Sequence, residues 1–214
     1  MIKKERNKNK SHLVLVGSLL LLIALLLVGG NILYNYLSYQ KEQKQIDNFL
    51  NKEIVIEKEP TTEEDNNVKE NEEVKEEIPN YIGILEIPNI SLKKGFYSID
   101  NKNNNVNKNI EVLQNSDMPN VENGLFAIAG HSGTGKLGFF NKLYKLNKDD
   151  LIYVYYQNIK YTYQITSITR QDKQGFITIS RQKDTTELLL TTCDQQTKGK
   201  QVIVMSKLIE KSNY

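Results

Sequence analysis

The chain has 214 residues and a formal net charge of +2, so its composition excludes a global nucleic-acid-binding footprint. Its single cysteine excludes an intrachain disulfide, and any folded part must hold together through its own core. The averages conceal three regions of different character.

Residues 1–12 carry Lys3, Lys4, Arg6, Lys8 and Lys10 against one acid, Glu5, and read as a basic cytoplasmic N-terminus. Residues 13–33 are almost wholly apolar. At 1.5 Å rise per residue they span roughly the 30 Å of a bilayer's hydrocarbon core. The basic flank predicts that this segment crosses once and leaves everything after it outside. Tyr34, Tyr36 and Tyr39 follow where an interfacial aromatic belt is expected. A cleaved signal peptide is the rival reading. The apolar run exceeds a typical signal core, and Gly29-Gly30-Asn31 makes a poor cleavage site, so the segment is read as an uncleaved anchor.

Residues 34–78 read as a stalk. Between 53 and 77 there are eleven acidic residues against Lys58, Lys69 and Lys75. So few apolar residues cannot bury a core, and the segment should be extended and solvated. Nearer the anchor, Ile46, Phe49 and Leu50 allow the helix to continue for a few turns.

Residues 79–214 form the candidate domain, long enough for a sizeable core. Strands are expected at 81–87, 125–129, 151–156, 160–168, 176–179, 187–192 and 202–205. Gln157-Asn158-Ile159 reads as a hairpin turn. Tyr161, Tyr163 and Ile165 alternate with polar residues at a period of two. The main helical signal is 139–146, with Phe139, Phe140, Leu143, Tyr144 and Leu146 on one face. Many short strands and few helices predict an all-β closed antiparallel barrel or a sandwich.

Gly130-His131-Ser132-Gly133-Thr134-Gly135-Lys136 fits the G-x-x-x-x-G-K string of a phosphate-binding loop. The next residue is Leu137, where that loop needs a hydroxyl for magnesium, and hairpins follow in place of parallel βαβ units. The phosphate reading is set aside. The second feature is Leu189-Leu190-Thr191-Thr192-Cys193-Asp194, which closes a predicted strand. His131, the one histidine of residues 79–214, also closes a strand. A thiol and an imidazole on strand-to-loop edges can form a nucleophile and proton-transfer pair. A buried structural cysteine is the bland alternative.

Leu190-Thr191-Thr192-Cys193 resembles the T-L-x-T-C signature of sortases, with Leu189 standing where the first Thr usually is. Ala129-Gly130-His131-Ser132 resembles the family's catalytic histidine turn. Phe139-Phe140-Asn141-Lys142-Leu143 is similar to the helix that commonly follows, and residues 81–88 to the opening strand. The resemblance implies a closed eight-stranded β-barrel with one or two short helices. It implies Cys193 as nucleophile and His131 as acid/base, with Thr192 shaping the substrate groove. The implied partners are secreted proteins bearing a C-terminal LPxTG-like sorting signal, an amine acceptor such as a cell-wall precursor, and the membrane. The signal would be cleaved between Thr and Gly through a thioester.

The chain departs from the family at a third position, where an Arg normally stands on the strand after the cysteine. Residues 198–208 contain no Arg; Gln201 falls at that place and Lys200 beside it. Strand alternation lets only one of the two face the site. Arg170 and Arg181, in the connection before the cysteine strand, are remoter substitutes. Asp194 is expected as a turn residue, and 101–109 as a polar loop. No Cys/His cluster has metal-ligand spacing, so no cofactor is expected, and no acid cluster marks a calcium site although some sortases use one. The short 170–186 connection and the absence of a second apolar segment point to wall anchoring rather than pilus polymerisation. Two other functions stay open: a cysteine peptidase that only hydrolyses, and a catalytically weak peptide-binding module.

Overall fold

The computed structural model describes residues 2–55 and 81–214, with side chains at 13–51 and from 81 onward. The chain divides into two compact units after Asp47. Most of the acidic stretch at 53–77 lies outside the described residues. Helix α1 (Ile2–Val55) is one continuous element of 54 residues, about 80 Å long at the standard rise. Within it Leu13–Asn51 is long and apolar enough to cross a membrane, with a mean hydropathy of 2.8 in its most apolar window. The helix thus continues past the apolar run, through Ile46, Phe49 and Leu50.

The second unit is built on one sheet of eight strands: β1 (Gly83–Ile87), β2 (Leu92–Phe96), β3 (Glu111–Val112), β4 (Leu125–Ala129), β5 (Leu151–Tyr156), β6 (Ile159–Asp172), β7 (Glu187–Cys193) and β8 (Lys200–Asn213). Their order is β2-β1-β5-β6-β8-β7-β4-β3. The sheet curls into a nearly closed barrel. Where no ladder joins the terminal strands, buried Asn109, just before β3, donates its side-chain amide to the Gly95 carbonyl of β2 at 2.7 Å.

The interior is filled by alternate residues of each strand, among them Leu85, Phe96, Phe126, Ile128, Val154, Tyr161, Tyr163, Leu188 and Leu190. The tyrosines are wall residues, and burial pushes the Tyr163 phenol well above its usual value. A smaller cluster of Ala127, Leu189, Ile203 and Met205 lies on the outer face of β4, β7 and β8. Strand β7 is therefore buried on both faces, which is why Leu188-Leu189-Leu190 is continuous rather than alternating. The β5–β6 hairpin turns on Gln157 (φ 50°) and Asn158 (φ 60°), both left-handed as a two-residue type I′ turn requires.

Three expectations are corrected. The barrel is not wholly antiparallel, because β4 and β7 run parallel. Residues 139–146 form turns and a short 3₁₀ segment (Leu143–Lys145) in place of an α-helix. Buried Phe140, Leu143 and Leu146 recur every three residues, the 3₁₀ period, and the Phe140 N–H bonds the His131 carbonyl at 2.9 Å. Residues 176–179 are not a strand. Thr178 pairs its N–H and its carbonyl with the Gln171 side-chain amide, which takes the place of a neighbouring strand. Strands β2 and β3 were not foreseen. The Lys93-Lys94 pair hides the β2 pattern, although Lys94 is buried with its Nζ 4.0 Å from the Phe139 ring centre.

Candidate active site

The parallel pairing of β4 with β7 runs from Leu125↔Glu187 to Ala129↔Thr191, a constant offset of 62 residues. It continues past the strand ends. The Gly130 N–H donates to the Thr191 carbonyl at 3.2 Å, and the buried Thr192 hydroxyl donates to the Gly130 carbonyl at 2.7 Å. Extending the offset by one residue sets His131 beside Cys193. Gly130 has to be small, since a Cβ there would lie 2.9 Å from the Phe140 ring that packs under the turn.

Side chains alternate, so Leu189, Thr191 and Cys193 share the outer face of β7. Antiparallel pairing puts Gln201 opposite Cys193, Ile203 opposite Thr191 and Met205 opposite Leu189. Beyond β8 stand Gln171, Thr169 and Ser167 of β6. Three transverse rows result: His131, Cys193, Gln201 and Gln171 at the rim, then Ala129, Thr191, Ile203 and Thr169, then Ala127, Leu189, Met205 and Ser167. Ile177 and Ile179 of the β6–β7 connection pack over the apolar cluster. Thr178, Ile179 and Ser180 bound a groove of about 350 Å³ along the β6 and β8 side of this face. A smaller cleft at the rim touches Ser132, Phe140, Tyr144, Thr192, Cys193 and Asp194.

Cys193 is half-buried and has a free thiol. The Lys173 Nζ lies 3.3 Å from its Sγ. The His131 Nε2 lies 3.2 Å from Asn107 Oδ1. That oxygen only accepts, so Nε2 carries the hydrogen in this contact and Nδ1 is the open nitrogen. Among the described residues no hydrogen bond joins the imidazole to the thiol. Nor do His, Cys, Asp or Glu gather there in threes to hold a metal.

A model of the sortase domain family matches residues 85–209. The chain belongs to the sortase family. Among solved structures, sortase C of Streptococcus pneumoniae is 24% identical with a TM-score of 0.55, covering 62% of this chain and 70% of its own. Sortase C-1 of Actinomyces oris is 17% identical with a TM-score of 0.54, covering 61% and 72%. A lid mutant of Corynebacterium diphtheriae sortase A is 19% identical with a TM-score of 0.54, covering 61% and 70%. No curated protein matches the chain.

Within the sortase domain the foreseen residues separate clearly. Gln201 pairs with Cys193, and His131 follows Gly130, the last residue bonded to β7 along the parallel offset. The Gln201 amide donates to the Phe176 carbonyl at 3.2 Å, anchoring the β6–β7 connection over the groove. Lys200 belongs to the opposite face and pairs with Asp172 at 2.7 Å. Thr192 also faces away from the groove. Its hydroxyl clamps the His131 turn to the cysteine strand.

Arg170 lies in β6 rather than in a connection, and its Nε donates to Asp194 Oδ2 at 3.0 Å. Asp194 is more than a turn residue, since its carboxylate is buried. Burial pushes that carboxyl up, but the Gln196 N–H and the Arg170 guanidinium outweigh it and hold it below the usual range. Arg181 bonds Glu187 at 3.0 Å, at the far end of β7 and roughly 20 Å from Cys193 at strand rise. Lys173 and Asn107 went unread. Nothing local marks Lys173, and Asn107 is one of several asparagines in the 101–109 loop.

Removing the Thr192 hydroxyl would leave the Gly130 carbonyl without its partner. Thr192→Val is expected to lower stability by about 1–2 kcal/mol, read as a smaller denaturant midpoint with an unchanged slope.

Proposed function

We propose that the protein is a cysteine transpeptidase, a reading carried above all by the parallel register that aligns His131 with Cys193 at the rim of a groove. A peptide lying extended in the groove would rest against Ser167, Thr169, Ile203 and Met205 and bring its carbonyl toward Cys193. The His131 Nδ1 takes the thiol proton. The sulfur attacks the carbonyl carbon and the π pair moves to oxygen. The tetrahedral adduct collapses to a thioester as the C–N bond breaks, and His131 returns the proton to the departing amine. An incoming amine, deprotonated by His131, reverses the sequence and leaves with the acyl group. Gln201, opposite Cys193, is the neutral amide donor in the position where the family resemblance puts an arginine. No cofactor is needed for these steps.

The substrate class is a secreted protein with an LPxTG-like sorting signal, and the acceptor is a cell-wall precursor amine. Pilin substrates are discussed for the pneumococcal sortase C. The division into a basic N-terminus at 1–12, an anchor at 13–33, a stalk at 34–78 and a catalytic domain at 79–214 places the groove outside the cell, with α1 as a single-pass anchor.

Incubating the full chain with LPxTG-like peptides, with and without an oligoglycine amine, tests the reading. The expected result is an acyl adduct on Cys193 and, with amine present, a new peptide bond to it. Hydrolysis that the amine leaves unchanged would establish a peptidase instead.

A further inference from the structure

Beside Cys193 the sheet carries a cation that no motif announces. Strand β6 pairs with β8 through Asp172↔Lys200, and the Lys173 N–H extends the ladder by donating to the Gly199 carbonyl at 2.8 Å. Alternation from Gln171 puts Lys173 on the outer face, with Cys193 and Gln201. Opposite Lys173 stands Gly199, held at φ +81° by the β7–β8 turn and offering no side chain to block the way. The lysine therefore reaches across β8, two strand spacings or about 10 Å, and brings Nζ to 3.3 Å from the Cys193 sulfur. Two neighbouring cations are bound elsewhere: Arg170 to Asp194 and Gln196, Lys200 to Asp172.

We propose that Lys173 is a further catalytic residue, whose ammonium donates to the Cys193 sulfur in its anionic form and supplies the positive charge that Gln201 lacks. The role rests on the transpeptidase reading, in which that sulfur is the attacking atom. The thiol proton still passes to His131, and Lys173 keeps all three of its own while the S–C bond forms. A charged donor at this distance makes a bond roughly twice as strong as a neutral one. Reactive cysteines characteristically sit beside such groups. Gln201 supplies no charge, so the two residues divide the work of an arginine: Gln201 the amide donor, Lys173 the cation.

The test is the rate of Cys193 alkylation by iodoacetamide at pH 7 in the full chain held in detergent micelles. Lys173→Met is expected to slow alkylation about tenfold, the lower end for an ion pair because the site is open to solvent. Lys173→Arg should stay within about threefold of wild type. Lys183→Met, in the exposed connection, removes the same net charge away from the sulfur and should leave the rate unchanged. Equal rates in Lys173→Met and wild type, or an equal loss in Lys183→Met, would overturn the assignment. Alkylation needs neither peptide nor amine. A wild type that forms no peptide thioester therefore defeats the transpeptidase reading, whereas equal alkylation rates defeat the role of Lys173 alone.

Discussion

Cys193→Ala is expected to abolish acylation by a sorting-signal peptide, with no adduct in the intact mass and turnover lower by roughly 10⁴-fold or more. A thioester needs a nucleophile, and Cys193 is the one cysteine in the chain. Alanine leaves the backbone pairing of Cys193 with Gln201 intact and fits the half-buried strand end. The variant should therefore keep the fold and the groove and still bind peptide. Equal behaviour of variant and wild type toward the peptide would sink the enzyme reading and leave a binding module on an anchor.

Replacing His131 by alanine is expected to lower kcat/KM by about 10²–10⁴-fold, the range for a positioned acid/base group. The leaving amine of a peptide is a poor leaving group until protonated, so acylation should lose more than alkylation by iodoacetamide, which expels iodide and needs no proton donor. A rapid-quench comparison of the two reactions checks this. Losses of equal size would mean that His131 acts on the sulfur alone. The Asn107 contact bears on which nitrogen does this: with Nε2–H donated to Oδ1, Nδ1 is left to carry the proton.

Much of the barrel was legible where local pattern and tertiary role coincide. Tyr161, Tyr163 and Ile165 alternate because one face of β6 is core, and the hairpin at Gln157-Asn158 is set by two residues that accept positive φ. Where a side chain replaces a strand or a charge turns inward, the pattern misleads. Ile177 and Ile179 alternate like strand residues because they cap the outer cluster, although Gln171 provides their neighbour Thr178 with its partner. Phe140, Leu143 and Leu146 repeat at three because the segment is pulled onto Gly130 and cannot complete an α-helical turn. Lys94 reads as surface and is stacked beneath an aromatic ring.

The sequence by itself determined an apolar helix long enough to cross a membrane, an acidic stretch too polar to bury a core, and a β domain with one thiol and one imidazole at strand ends. These follow from composition and period, which act over a few residues. The separation of 62 residues between His131 and Cys193 acquired meaning only from the fold, as the offset of a parallel ladder that could have been set at any register. The same holds for the cation at the sulfur. Lys173 follows β6 and Cys193 ends β7, two strands that never pair, and only the order β6-β8-β7, with a glycine opposite the lysine, brings them into contact. Side-chain alternation likewise settled which of two adjacent residues faces the cysteine, because the β7–β8 register puts Gln201 beside it and turns Lys200 to Asp172.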